Sequence, residues 1–150
     1  MQSVIKPLIS IITPCYNEEA ILNDNINVIL QYLSNKKDKY QWEILIINDG
    51  SRDKTGAIAD EIEKSNKIVR VIHHPVNLNL GNALKTGFRH AKGEVIVVMD
   101  IDLSYSVEYI EILVDKLLKF EGQKYVLIFF RNTYFKVQTL LYLWVKELGF

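Results

Sequence analysis

With 150 residues, 49% of them hydrophobic and 24% charged, the chain has the size and composition of one ordinary globular domain, which excludes intrinsic disorder. Its 18 Lys and Arg balance 18 Asp and Glu, so no net positive field exists to gather a nucleic-acid backbone, and no nucleic-acid partner is expected. The single cysteine, Cys15, excludes an internal disulfide and a thiolate zinc site, and suits a reducing, cytoplasmic compartment.

The first predicted element is a strand at Leu8–Thr13. This run is short, lacks a small-residue cleavage pattern and leads into Pro14, so it reads as a strand and not as a signal peptide. Leu22, Ile26, Ile29, Leu30 and Leu33 then repeat at helical spacing, after the capping-type Asn17 and an acidic first turn of Glu18 and Glu19. A second strand is expected at Trp42–Ile47, followed by a helix carrying Ile58 and Ile62. A third strand spans Ile68–His73, and the next helix shows Leu84, Phe88 and Ala91 and ends at Gly93. The fourth strand is Glu94–Met99. After it, Ile110, Leu113, Val114, Leu117 and Leu118 mark a helix that starts near Ser106 and stops at Gly122. A fifth strand at Tyr125–Phe130 precedes an apolar stretch, Tyr134–Leu148, which reads as a helix with Val137, Leu141, Trp144 and Leu148 on one face. Neither apolar run near the carboxyl end is long enough to span a bilayer.

The strands are rich in Ile and Val and do not alternate cleanly with polar residues, as suits burial on both faces. The alternation of strand and helix predicts an α/β fold: a three-layer, mostly parallel, twisted sheet with helices on both faces and right-handed crossovers. Residues 1–130 form the expected domain, and residues 131–150 an apolar helix that begins a further, truncated part. That helix is expected to dock on the sheet, to meet a second copy of the chain, or to lie on a membrane surface.

In open α/β sheets ligands bind beyond the carboxyl ends of the strands, so the segments after each strand are the ones to read for chemistry. Asp100-Ile101-Asp102 directly follows the fourth strand. If that segment is extended, both carboxylates point the same way, and two like charges so placed call for a cation; all-oxygen ligands favour Mg2+ or Mn2+. The same residues could instead be a turn acid and a helix-capping acid. Asp49-Gly50-Ser51 is either a tight turn or a strand-end acceptor for a nucleobase imide or ribose hydroxyl. Pro14, Tyr16 and Glu18 are either loop residues with a favourable helix-dipole charge or one wall of a nucleotide pocket, with Tyr16 against the base. His73 and His74 are adjacent on a strand and point to opposite faces, so they are read as strand-end polar residues and not as a chelate.

Taken together and in order, Ile9 to Glu19, Ile46 to Thr55 and Gly93 to Ser104 resemble family 2 glycosyltransferases of the GT-A fold, and among these the polyprenyl-phosphate (dolichyl-phosphate) sugar synthases. The resemblance implies a donor-binding domain for a UDP- or GDP-sugar. Pro14, Tyr16, Glu18, Asp49 and Asp100 would bind the nucleotide, and Asp100 and Asp102 the Mg2+ or Mn2+. It implies inverting transfer to a hydroxyl or lipid-linked phosphate acceptor; the single cysteine and the carboxyl-terminal apolar helix set the expected location as cytoplasmic, at most peripheral to a membrane. No residue matches a catalytic base, and the short chain is expected to transfer sugar weakly or not at all.

The sequence departs from the family at Leu78-Asn79-Leu80-Gly81. Asn79 can adopt the left-handed conformation a glycine would take there, but Leu80 offers no charge to a diphosphate. The sequence also allows two other readings. One is a non-catalytic nucleotide-sugar-binding module. The other, more remote, is an aspartyl-phosphate phosphatase, whose nucleophile loop Asp100 to Ser104 also resembles.

Overall fold

A computed structural model of the chain describes residues 6–118, 125–130 and 139–144. The element order is β1 (Leu8–Cys15), α1 (Leu22–Ser34), β2 (Gln41–Asn48), α2 (Thr55–Ser65), β3 (Val69–His73), α3 (Asn79–His90), β4 (Val95–Val98), α4 (Glu108–Leu117), β5 (Tyr125–Phe130) and β6 (Thr139–Trp144). The strands form one sheet in the order β3-β2-β1-β4-β5-β6, in which only the β5–β6 pairing is antiparallel.

Each central strand sends alternate residues to opposite faces, because side chains along a strand repeat every second residue. Ile9, Ile11, Ile44, Ile46, Val95 and Val97 join one apolar cluster with Leu22, Ile26, Ile29 and Leu33 of α1, Ala59 and Ile62 of α2, and Ile110, Leu113, Val114 and Leu117 of α4. Ile12, Leu45, Ile47, Ile96 and Val98 face the other way, onto Ala83, Leu84 and Phe88 of α3. The molecule is therefore the expected three-layer α/β structure. Because both faces are covered, the strands carry unbroken apolar runs and not an alternating pattern. On the α3 side the helix lies close to the sheet: a Cβ added to Gly87 would come within 2.5 Å of Ile12 Cγ2.

Several boundaries differ from the expected ones for local reasons. β1 runs on through Pro14 to Cys15, in register with Ile47 and Asn48 of β2. The Cys15 carbonyl accepts from Asp49 N on the β2 side, so the proline nitrogen faces the β4 side, where pairing has already ended at Ile12 and Val98. The missing N–H of Pro14 therefore breaks no ladder. α1 begins at Leu22 with no side-chain cap, later than Asn17 suggested. The fourth helix starts at Glu108, and its expected end at Gly122 lies outside the described residues.

The apolar stretch expected to form a helix from Tyr134 to Leu148 is a strand over Thr139–Trp144, antiparallel to β5. The rest of that stretch lies outside the described residues. A short apolar run fits helix and strand periods equally well, and here the open edge of β5 supplies hydrogen-bond partners that a separate helix would leave unused. The Thr, Tyr and Trp of this segment also favour a strand. Among the described residues no helix is long and apolar enough to cross a membrane.

Candidate functional site

The strand order reverses between β1 and β4, with β2 and β3 on one side and β5 on the other. A crevice opens at such a reversal, beyond the carboxyl ends of the strands. The segments after β1, β2 and β4 carry Tyr16 and Glu18, Asp49, and Asp100 and Asp102 respectively.

The first two of these segments are laced together. Asn17 takes a left-handed conformation (φ 56°), which turns the chain sharply after β1. In that position its N–H donates to Ser51 Oγ at 3.0 Å and its Oδ1 accepts from Arg52 N at 2.9 Å. Glu18 N donates to Thr55 Oγ1 at 2.8 Å, and Glu19 Oε2 accepts from Lys54 N at 2.8 Å. Asn17 is thus a connector between loops and not a helix cap. Pro14 is half-buried in β1, and Tyr16 is 40% exposed beside this junction.

Asp49 is buried at 3% exposure, and its side-chain hydrogen bonds among the described residues fall on one oxygen. Oδ1 meets His74 Nδ1 at 2.6 Å and accepts from Leu78 N at 3.0 Å. Gly50 makes this contact possible. It has φ +68°, and an added Cβ would lie 2.2 Å from the carbonyl carbon of Val76, so a side chain at this position would push the third loop away. Asp49-Gly50 is therefore a tight turn that also pins a neighbouring loop. At the start of α3, Asn79 has φ 72°, the left-handed conformation expected of it, and Leu80 is exposed.

The acidic segment after β4 is a turn and not the extended run assumed from the sequence: Leu103 N donates to the Asp100 carbonyl at 3.2 Å, and Leu103 itself has φ 51°. The two carboxylates nevertheless lie near each other. Burial, and then the charge of Asp102, raise the Asp100 carboxyl above its ordinary range. Burial likewise raises Glu18, with the charges of Asp102, Asp53 and Asp100 adding to it. Cys15 is raised too, by burial first and then by Glu18 and Asp100. The Cys15 backbone meanwhile holds Asp49 N at 2.9 Å. Three segments distant in sequence thus meet around Cys15, with an excess of negative charge.

Such a cluster suits a hard divalent cation, which would relieve the mutual repulsion and takes carboxylate oxygens as ligands. Asp100 has no side-chain hydrogen bond among the described residues, whereas Asp102 accepts from Ser104 N at 2.9 Å and Ser104 Oγ at 2.5 Å. Among the described residues no group of three or more His, Cys, Asp or Glu is placed to hold a metal ion, so the protein's own contribution here is the pair Asp100 and Asp102. An open set of this kind fits ions that keep water or substrate phosphate in their shell.

Two residues that position the site were missed in the sequence. Asn25, on α1, donates from Nδ2 to the Ile101 carbonyl at 2.7 Å and so ties the acidic turn to the helix. His74, read only as a strand-end polar residue, sits between Asp49 and Thr86 Oγ1, which it meets through Nε2 at 2.8 Å. His73 points elsewhere, to Asn48 Nδ2 and Asp60 Oδ1. A polar residue on the inner face of a helix was the available signal for Asn25; nothing in the sequence marked His74 as a partner of Asp49.

Residues 10–142 match the sequence profile of the family described as glycosyl transferase family 2. A dolichyl-phosphate beta-glucosyltransferase of Trichomonas vaginalis is 32% identical over 125 residues, covering 79% of this chain and 39% of the relative. Dolichol-phosphate mannosyltransferase of Pyrococcus furiosus is 34% identical over 107 residues, covering 71% of this chain and 29% of the relative. This chain therefore spans well under half the length of these relatives. Among solved structures, glucosyl-3-phosphoglycerate synthase from Mycobacterium tuberculosis, in complex with Mn2+, UDP and phosphoglyceric acid, superposes with a TM-score of 0.63 at 27% identity. That match covers 85% of this chain and 45% of the solved one.

Proposed function

Since the chain belongs to glycosyl transferase family 2 and has its GT-A fold, we propose that it binds a nucleoside-diphosphate sugar, UDP- or GDP-linked, together with Mg2+ or Mn2+. The observation that carries this reading is the acidic pair Asp100 and Asp102 beyond the reversal point of the sheet, where burial and then the Asp102 charge raise the Asp100 carboxyl, and burial, then the charges of Asp102, Asp53 and Asp100, raise that of Glu18. Asp100 and Asp102 hold the ion, and Asp100 also faces the nucleotide. Pro14, Tyr16, Glu18 and Asp49 line the nucleotide's path, with the exposed Tyr16 ring against the base and Asp49 as hydrogen-bond acceptor. Relatives and neighbours named for dolichyl phosphate, Mn2+ and UDP support the same assignment.

The reaction served is inverting sugar transfer to a hydroxyl or a lipid-linked phosphate. The bound cation supplies charge neutralisation for the departing diphosphate. The residues of this chain bind and orient the donor. A phosphate acceptor is already anionic and needs little deprotonation, whereas a hydroxyl acceptor needs a base; none of the described residues is assigned that role. The donor-binding unit proposed is residues 1–130.

Calorimetric titration of UDP- and GDP-sugars into the protein, with and without Mn2+, tests the reading. Binding is expected only with the metal, and Asp102→Asn should weaken it at least about tenfold, the loss of roughly one charged ligand contact. Affinity independent of the metal, or no affinity, would overturn it.

A further inference from the structure

The Asp49 carboxylate is held in an unusual way. Its side chain and that of His74 are each more than nine-tenths buried, and they meet at 2.6 Å through Oδ1 and Nδ1. An ionised carboxylate only accepts, so Nδ1 carries the proton and donates. The far nitrogen of the ring meets Thr86 Oγ1 on α3 at 2.8 Å, and a hydroxyl serves as donor or acceptor as needed. Leu78 N donates to the same Oδ1 at 3.0 Å. Both lone-pair directions of Oδ1 are therefore taken, while Oδ2 has no hydrogen bond among the described residues.

We propose that His74 is a positioning residue that fixes Asp49 with one acceptor oxygen, Oδ2, open to the donor nucleobase, so that the site prefers a base presenting one imide N–H. This rests on the nucleotide-binding reading above and narrows it to one of its two donor classes. Uracil presents a single N–H between two carbonyls and needs one acceptor. Guanine presents two adjacent donors, which pair with a carboxylate through both of its oxygens. With Oδ1 already occupied, a guanine would leave one donor unpaired or have to displace His74 and the third loop, and an unpaired buried donor costs affinity. The ring is anchored at both ends, by β3 through the chain and by α3 through Thr86, so Asp49 cannot rotate to offer both oxygens without breaking a buried contact.

The test compares His74→Asn with His74→Gln, binding UDP, GDP and 3-methyluridine diphosphate in the presence of Mn2+. The Asn amide nitrogen lies near the place of Nδ1 and keeps the donor to Asp49; the Gln amide nitrogen lies near the place of Nε2 and keeps only the reach to Thr86. Wild type is expected to bind UDP about tenfold or more tighter than either its 3-methyl form or GDP, the effect of one lost charged hydrogen bond. The Asn variant should keep that preference and the Gln variant should lose most of it. Equal behaviour of the two variants, whether both intact or both impaired, would overturn the proposal, as would wild-type preference for GDP. Failure of wild type to bind any of the three would instead overturn the nucleotide-binding reading, and this proposal with it.

Discussion

Gly50 shows how much of the site depends on a single residue. With φ +68° and the Val76 carbonyl carbon 2.2 Å from where a Cβ would stand, Gly50→Ala forces a strained backbone or a displaced third loop. The expected cost is about 2 kcal/mol, read by urea denaturation, together with weaker nucleotide binding because Asp49 loses the Leu78 contact. Asp100 supplies a second expectation. Folded Asp100 and Glu18 hold their protons more tightly than the unfolded chain does. The stability this contributes is full below the unfolded carboxylate pKa of about 4 and is lost as pH rises through the raised folded value. In chelator at neutral pH, Asp100→Asn should therefore melt above wild type and lose stability less steeply between acid and neutral pH, while losing the metal. A lower melting midpoint for Asp100→Asn in chelator would show that repulsion does not govern this cluster.

At the scale of elements, α1 both closes the core and aims the acidic turn. Ile26 is fully buried against the sheet, and Ile26→Ala should cost about 2–5 kcal/mol in chemical unfolding. At the neighbouring position of the same helix, Asn25→Ala should leave most of that stability intact yet weaken Mn2+ binding about tenfold, since the Ile101 carbonyl it holds lies between the two aspartates. Titration followed by Mn2+ electron paramagnetic resonance reads this directly. The elements themselves were largely legible: Trp42–Ile47 lies within the observed Gln41–Asn48, and Leu22, Ile26, Ile29 and Leu33 are the buried face of α1. Periodicity records burial, and in these elements burial decides the structure. It failed at Thr139–Trp144, where an open sheet edge settled a short apolar run in favour of a strand, and at Asn17, whose side chain serves a loop 35 residues away. The candidate acids were readable because their positions follow strands. Their mutual arrangement through a turn at Ile101-Asp102, and the support from Asn25 and His74, depend on contacts between distant segments that no local pattern encodes.

On the scale of the whole molecule, the sheet order explains why residues so far apart in sequence gather. Reversal between β1 and β4 brings the ends of the first and fourth strands side by side, and β2 lies on the other flank of β1. Tyr16, Glu18, Asp49, Asp100 and Asp102 then share one edge, while the two apolar layers hold the strands in register behind them. The central claim is that a single metal–nucleotide complex sits at this edge. Paramagnetic broadening of backbone amide signals by Mn2+ in the presence of UDP measures that location. Broadening confined to residues 16–19, 49–53 and 100–104, and absent in Asp102→Asn, is the predicted result; broadening centred on another acidic surface, such as Asp60, Glu61 and Glu63 of α2, would contradict it.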